Sequence, residues 1–344
     1  MSTPDSPAAP AGLVDLAAAR VGGAALLAND EFFAEKENLL KPGRGIFIAD
    51  KYTDCGKWMD GWETRRRRTP GHDWCVVQLG LRGIIKQVDI DTNHFLGNHP
   101  PFASLDAACL TNGFPSEASA AEALSWKPIL AQSSLNPGSQ NLFAITSDQT
   151  WTHVRLNIIP DGGVARLRVY GMVVPDWSKL KPGELVDLVA IENGGVPLAC
   201  SDMFFSSMNN LIMPGRSENM GDGWETKRRR GTGYDWIILK LGLPGTIQRV
   251  EVDTNHFKGN YPDMCSIEGC AAPGASVEEL TGPATRWGEI LPKTKLQADT
   301  RHFFERELSS YISECTHIRL NIFPDGGVSR LRLWGMPSSR AAHE

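Results

Sequence analysis

His153-Val154-Arg155-Leu156-Asn157-Ile158-Ile159-Pro160-Asp161-Gly162-Gly163-Val164-Ala165-Arg166-Leu167-Arg168-Val169-Tyr170-Gly171-Met172 returns, 164 residues on, as His317-Ile318-Arg319-Leu320-Asn321-Ile322-Phe323-Pro324-Asp325-Gly326-Gly327-Val328-Ser329-Arg330-Leu331-Arg332-Leu333-Trp334-Gly335-Met336. Within the first copy Val154, Leu156 and Ile158 alternate with His153, Arg155 and Asn157. That is the period of a strand with one apolar face. Arg166 and Arg168 alternate in the same way with Leu167 and Val169. Pro160-Asp161-Gly162-Gly163 between them is a turn signal, so the stretch predicts a β-hairpin whose polar face carries a histidine, an asparagine and three arginines.

Working outward, the repetition covers most of the chain. Asp60-Gly61-Trp62-Glu63-Thr64 recurs as Asp222-Gly223-Trp224-Glu225-Thr226, and Asp91-Thr92-Asn93-His94-Phe95 as Asp253-Thr254-Asn255-His256-Phe257, both at an offset of 162. Nearer the N-terminus Leu13-Val14-Asp15-Leu16 matches Leu185-Val186-Asp187-Leu188 at an offset of 172, so copy one carries ten extra residues between Arg44 and Asp60. Three blocks in the same order mean a duplication, with a period too long for a solenoid. The expected domains are residues 12–174 and 184–338, joined by a linker at 175–183 that contains Pro175, Lys179, Lys181 and Pro182, and preceded by a disordered tail at 1–11. Short Val- and Ile-rich runs separated by Gly, Pro, Asn and Asp predict an all-β fold, two tandem homologous sandwiches or jelly rolls. Short helices are expected over Leu13–Leu27 and Ser116–Leu124.

The 344 residues are 41% hydrophobic and 22% charged, with a formal net charge of −5, which gives no general attraction to nucleic acid or to an anionic membrane. No apolar run reaches the ~20 residues of a membrane span. Seven scattered cysteines without zinc-type spacing fit reduced thiols in a cytoplasmic protein. There is no nucleophile elbow, P-loop, H-E-x-x-H or dinucleotide fingerprint. No cofactor is firmly implied; a divalent metal is compatible, but His94 three residues after Asp91 supplies too few ligands to argue one.

Candidate chemistry comes from polar residues present in both copies. Asp89 and Asp91 can meet Arg166 and Arg168 across strands, an arrangement that also serves simply to solvate a sheet face. His94 and His153 recur as His256 and His317, whereas His72 and His99 become Tyr234 and Tyr261. The retained imidazoles are either proton carriers or hydrogen-bonded structural groups. Arg65-Arg66-Arg67-Arg68 recurs as Lys227-Arg228-Arg229-Arg230 in an acidic chain, which favours a local carboxylate grip over a nucleic-acid patch. Trp62, Trp74, Trp224 and Trp236 are expected to pack in the core, and Asp161 and Asp325 to form turns.

The blocks D-G-W-E-T-[RK]-R-R-R, G-x-D-W with L-G-x-x-G, D-T-N-H-F-x-G-N-x-P and H-x-R-L-N-I-x-P-D-G-G-x-x-R-L-R-x-x-G-M closely resemble the allantoicase (allantoate amidinohydrolase) family, in both copies and in family order. The resemblance implies two galactose-binding-like jelly-roll domains, a homo-oligomer, and hydrolysis of allantoate to ureidoglycolate and urea in allantoin degradation. A small diureido anion needs a carboxylate grip, amide-type hydrogen bonds and proton carriers, so the expected site has Arg66 and Arg67 or Arg155 holding the carboxylate, Asn98 and Asn157 binding a ureido arm, and Glu63 with His94 or His153 moving protons, roles that the family motif by itself does not assign. In copy two these roles fall to Arg228, Arg229, Arg319, Asn260, Asn321, Glu225, His256 and His317. A non-catalytic carbohydrate-binding module and another ureido-compound enzyme are the rival readings.

Overall fold

The computed structural model describes residues 10, 12–110, 114–115, 124–181, 183–309 and 314–338. The chain divides into two compact units, Met1–Val174 and Pro175–Glu344, each an all-β repeat. The spine of the first is the 19-residue strand Asp73–Asp91, whose two halves have different neighbours. Its first half lies between Ala24–Ala28 and Thr150–Ile159, and that sheet continues through Phe102–Ala108 to Lys127–Ser134. Its second half lies between Arg166–Val173 and Leu142–Ala144, with Val14–Asp15 on the outer side of Arg166–Val173. Every pairing is antiparallel. The spine thus passes from one layer of a sandwich to the other, as strands at sandwich corners do. Glycine is required at the crossing, because a Cβ on Gly80 would stand 2.3 Å from the Val21 carbonyl oxygen.

The apolar alternation read from the sequence fills the space between the layers. Val77, Leu105, Val154, Leu156 and Ile158 from one layer, and Val88, Ile90, Leu167 and Val169 from the other, are all fully buried. At roughly 25 cal/mol per Å² of apolar surface, such side chains supply the main drive to fold. The second unit repeats this topology around the spine Asp235–Asp253, with Cys315–Phe323 and Arg330–Pro337 in the corresponding places.

The sequence motif taken for a hairpin is something else. Thr150–Ile159 and Arg166–Val173 do not pair with each other; they flank opposite halves of the spine, so Pro160–Gly163 carries the chain from one layer to the other. His153, Arg155 and Asn157 therefore lie on the outer face of one layer, and Arg166 and Arg168 on the outer face of the other. The expected single polar face is split in two, because period-two alternation says which residues share a side of one strand and nothing about which strands are neighbours.

Leu13–Leu27 is not a helix but the strands Val14–Asp15 and Ala24–Ala28 around one 3-10 turn, Ala19–Val21. Edge pairing, of Val14–Asp15 to Arg166–Val173 and of Ala24–Ala28 to the spine, overrides the alanine-rich composition. Of Ser116–Leu124 only Leu124 is among the described residues. In repeat two the helix Val277–Thr281, capped by Ser276 and Glu279, lays the fully buried Leu280 over Ile238 and Cys270, with Trp236 and Trp287 alongside.

Candidate functional site

The crossing segment builds a small site of its own. Gly163–Val164 pairs with Trp62–Glu63, an antiparallel ladder separate from the main sheet. Trp62 is fully buried and its indole N–H donates to the Asp30 carbonyl at 2.8 Å, which fixes the strand and leaves its neighbour Glu63 on the other side. Gly163 N–H donates to the Asn98 carbonyl at 2.8 Å, drawing the loop after Phe95 against the same ladder. Phe95 is fully buried beneath it, and a Cβ on Gly163 would come within 2.0 Å of its ring. His94 takes a left-handed backbone, φ 67°, and is exposed while Phe95 points inward. Thr92 and Asn93 hold this turn: Thr92 Oγ1 donates to Asn136 O at 2.6 Å, and Asn93 Nδ2 to Gly45 O at 3.0 Å.

These contacts bring Asn98 Nδ2 to 2.7 Å from Glu63 Oε1. Glu63, His94 and Asn98 then line a cavity of about 350 Å³ with Lys57, Met59, Phe33 and Leu96. Burial raises the Glu63 pKa above the usual glutamate range, and the Asn98 hydrogen bond only partly offsets it. The Phe47 ring sits 5.7 Å from the His94 ring. Phe47, Lys57 and Met59 belong to the stretch that is ten residues longer than its counterpart in repeat two, and no motif marked them. The length difference between copies was the one signal in the sequence that could have pointed there.

The remaining candidates lie elsewhere. His153 is buried with its Nδ1 2.8 Å from Thr152 Oγ1, its ring stacks on Phe114, and burial lowers its pKa. Arg155 and Asn157 both bind the Asp106 carboxylate, at 2.8 and 2.9 Å. Arg67 donates through its backbone to Asp161 and through Nη1 to Asp73 at 2.6 Å. Arg66 is exposed and is not among the cavity residues. Across strands Arg166 faces Asp91 and Arg168 faces Asp89, yet the ion pairs formed are Arg166 with Asp60, Arg168 with Asp15 and Arg44 with Asp91. Asp89, left with Gln140 and Asn141 as its hydrogen-bond donors, is raised by burial to about 6. The polar cluster expected from the sequence therefore resolves into a cavity group and several structural ion pairs.

Repeat two repeats most of this. Asn260 Nδ2 donates to Glu225 Oε1, and burial raises the Glu225 pKa. Arg319 and Asn321 share the Glu268 carboxylate, Arg229 pairs with Asp235, and Arg228 is exposed. His317 contacts Thr316 Oγ1, and burial, then Lys240, lowers its pKa. His256 differs from His94: its Nε2–H donates to the Ser217 carbonyl at 2.9 Å. Among the described residues no group of three or more His, Cys, Asp or Glu side chains could hold a metal ion, and no helix is long and apolar enough to cross a membrane.

The sequence model described as the allantoicase repeat matches residues 14–174 and again 186–338. The chain belongs to the allantoicase family. A Burkholderia mallei relative named probable allantoicase 1 is 50% identical over 335 residues, covering 97% of this chain and 98% of its own. A Dictyostelium discoideum protein named allantoicase is 48% identical, covering 98% and 91%. The crystal structure of allantoicase from Saccharomyces cerevisiae superposes with a TM-score of 0.79 at 36% identity, over 95% of this chain and 94% of that one. Allantoicases of solved structure thus share the two-repeat architecture described above.

Proposed function

We propose that this chain is a cytoplasmic hydrolase that converts allantoate and water to ureidoglycolate and urea, and that the reaction takes place in the cavity of repeat one. The observation that carries the reading is the pairing of a half-buried Glu63, its pKa raised by burial, with Asn98 and His94 around a space of about 350 Å³, in a chain of the allantoicase family. Allantoate carries two ureido arms on one carbon. Cleavage breaks the bond from that carbon to one ureido nitrogen, which must gain a proton to leave as urea, while water gives its oxygen to the carbon and loses a proton. A carboxyl group with a raised pKa is better suited than an ordinary glutamate to hold and return such a proton. Asn98 donates to Oε1 of Glu63, which leaves Oε2 to exchange the proton, and His94 is the second proton carrier at the cavity. The seven free cysteines support the cytoplasmic placement.

Glu63→Gln keeps the shape and the Asn98 contact but removes the titrating group. Urea release from allantoate should fall about 10²- to 10⁴-fold, and the pH–rate limb that wild type shows above the ordinary glutamate range should disappear. Undiminished turnover by this variant would remove Glu63 from the chemistry.

A further inference from the structure

The arginines expected to grip the substrate's carboxylate are held in ion pairs or stand away from the cavity, which leaves that anion without an assigned partner. We propose that Lys57 is the carboxylate-binding residue, supplied to repeat one by its longer loop; this rests on the allantoate reading above. Lys57 is the cation among the residues that line the cavity. The partners of its ammonium among the described residues are the Ala49 carbonyl and the faces of Phe47 and Tyr52, at 4.9 and 4.7 Å from the ring centres. None of these carries a formal charge. They hold the ammonium in place and leave its charge to be neutralised by an incoming anion. Arg44, Arg67, Arg155, Arg166 and Arg168, by contrast, already face carboxylates.

The geometry also answers an electrostatic problem. A substrate carboxylate in the same small space as Glu63 would be repelled by the ionised side chain, and a lysine on the wall offsets that repulsion. The loop sets Lys57 on the wall of the cavity that Glu63 also lines, in a two-stranded ladder of its own with Tyr52–Thr53 and apart from the main sheet. In repeat two the shorter segment Ser217-Glu218-Asn219-Met220-Gly221 contains no cation, and its Ser217 carbonyl accepts from the His256 ring instead. Lys258 stands there at the position of Leu96 and is exposed. The carboxylate socket described here is a property of repeat one.

The test is steady-state urea release from allantoate by the full chain, with Lys57→Met, Lys57→Arg, Lys57→Glu and, as a control in the same loop, Lys51→Met, whose ammonium lies over Trp58 at 3.7 Å. Lys57→Met should raise KM about tenfold to hundredfold, the range for losing a hydrogen bond between charged groups, with kcat changed less than about threefold. Lys57→Arg should stay near wild type, Lys57→Glu should raise KM beyond Lys57→Met, and Lys51→Met should leave KM unchanged. Unaltered far-UV circular dichroism shows that each variant is folded. An unchanged KM in Lys57→Met overturns the proposal, as does equal impairment by Met, Arg and Glu, which would mean that the loop's shape and not the charge matters. Wild-type protein that releases no urea would sink the allantoate reading itself, a result separate from any ranking of the variants.

Discussion

Gly163→Ala tests whether the crossing between layers is what positions the site. An ideal Cβ on Gly163 falls 2.0 and 2.1 Å from two carbons of the Phe95 ring, against the ~3.5 Å of ordinary carbon contact, so ring or backbone must yield by about 1.5 Å. The ring has no room to retreat, since it is fully buried and also lies against Gly61, where a Cβ would stand 2.7 Å from it. The backbone is held by the Asn98 carbonyl and by pairing with Glu63. Overpacking of this kind costs about 1–3 kcal/mol, and with both sides pinned we expect the upper end. Repeat two provides an internal control, because a Cβ on Gly327 would fall 1.9 and 2.2 Å from the Phe257 ring. Guanidinium unfolding should show similar losses for Gly163→Ala and Gly327→Ala. Only the first should disturb the 2.7 Å contact of Asn98 with Glu63, and a misplacement near 1 Å costs about 10²-fold in rate. We therefore expect kcat for urea release to fall about 100-fold in Gly163→Ala and less than about threefold in Gly327→Ala. If Gly163→Ala is as stable as wild type, the packing argument is wrong. If it is destabilised yet retains full kcat, the glycine does not position Glu63.

Two further predictions concern stability. Asp89 is raised to about 6 in the folded chain, above the ~3.9 of an unfolded aspartate. The folded state therefore binds this proton more tightly, so its stabilising contribution is complete below about pH 4 and is lost as pH climbs to about 6, up to about 3 kcal/mol in all. Asp89→Asn should flatten that part of the stability profile in guanidinium titrations between pH 4 and 7, and a variant slope equal to wild type would contradict it. Asp60→Ala strands the Arg166 guanidinium, 3% exposed and 2.7 Å from its partner, which should cost about 3–5 kcal/mol. The same change frees the backbone N–H of Ile46, bound to Asp60 Oδ2 at 2.9 Å, so KM should rise as the long loop loosens. A thermal melt showing less than about 1 kcal/mol lost would refute the buried-pair account.

The duplication, the all-β class and the identity of the core were legible in the residues alone. Repetition is a statement about order along the chain, and burial follows from alternation within a single strand, so both are local. Leu156, Ile158 and Leu167 could be placed inward, and Trp62 in the core, without knowing any neighbour, and each is fully buried. Glu63, Asn98 and His94 could be named as candidates, but nothing in their spacing says that they meet. Only the tertiary structure decided that, because Pro160–Gly163 changes layers instead of turning a hairpin, and in doing so ties Glu63 to Asn98 while sending His153 and Arg155 to an outer face. It also decided which charges are spoken for: Arg67, Arg155 and Arg166 each found a carboxylate between 6 and 106 residues away in sequence, whereas Lys57 found none among the described residues. A charge is free or neutralised according to what lies within a few ångströms in space, and the chain's linear order does not hold that distance.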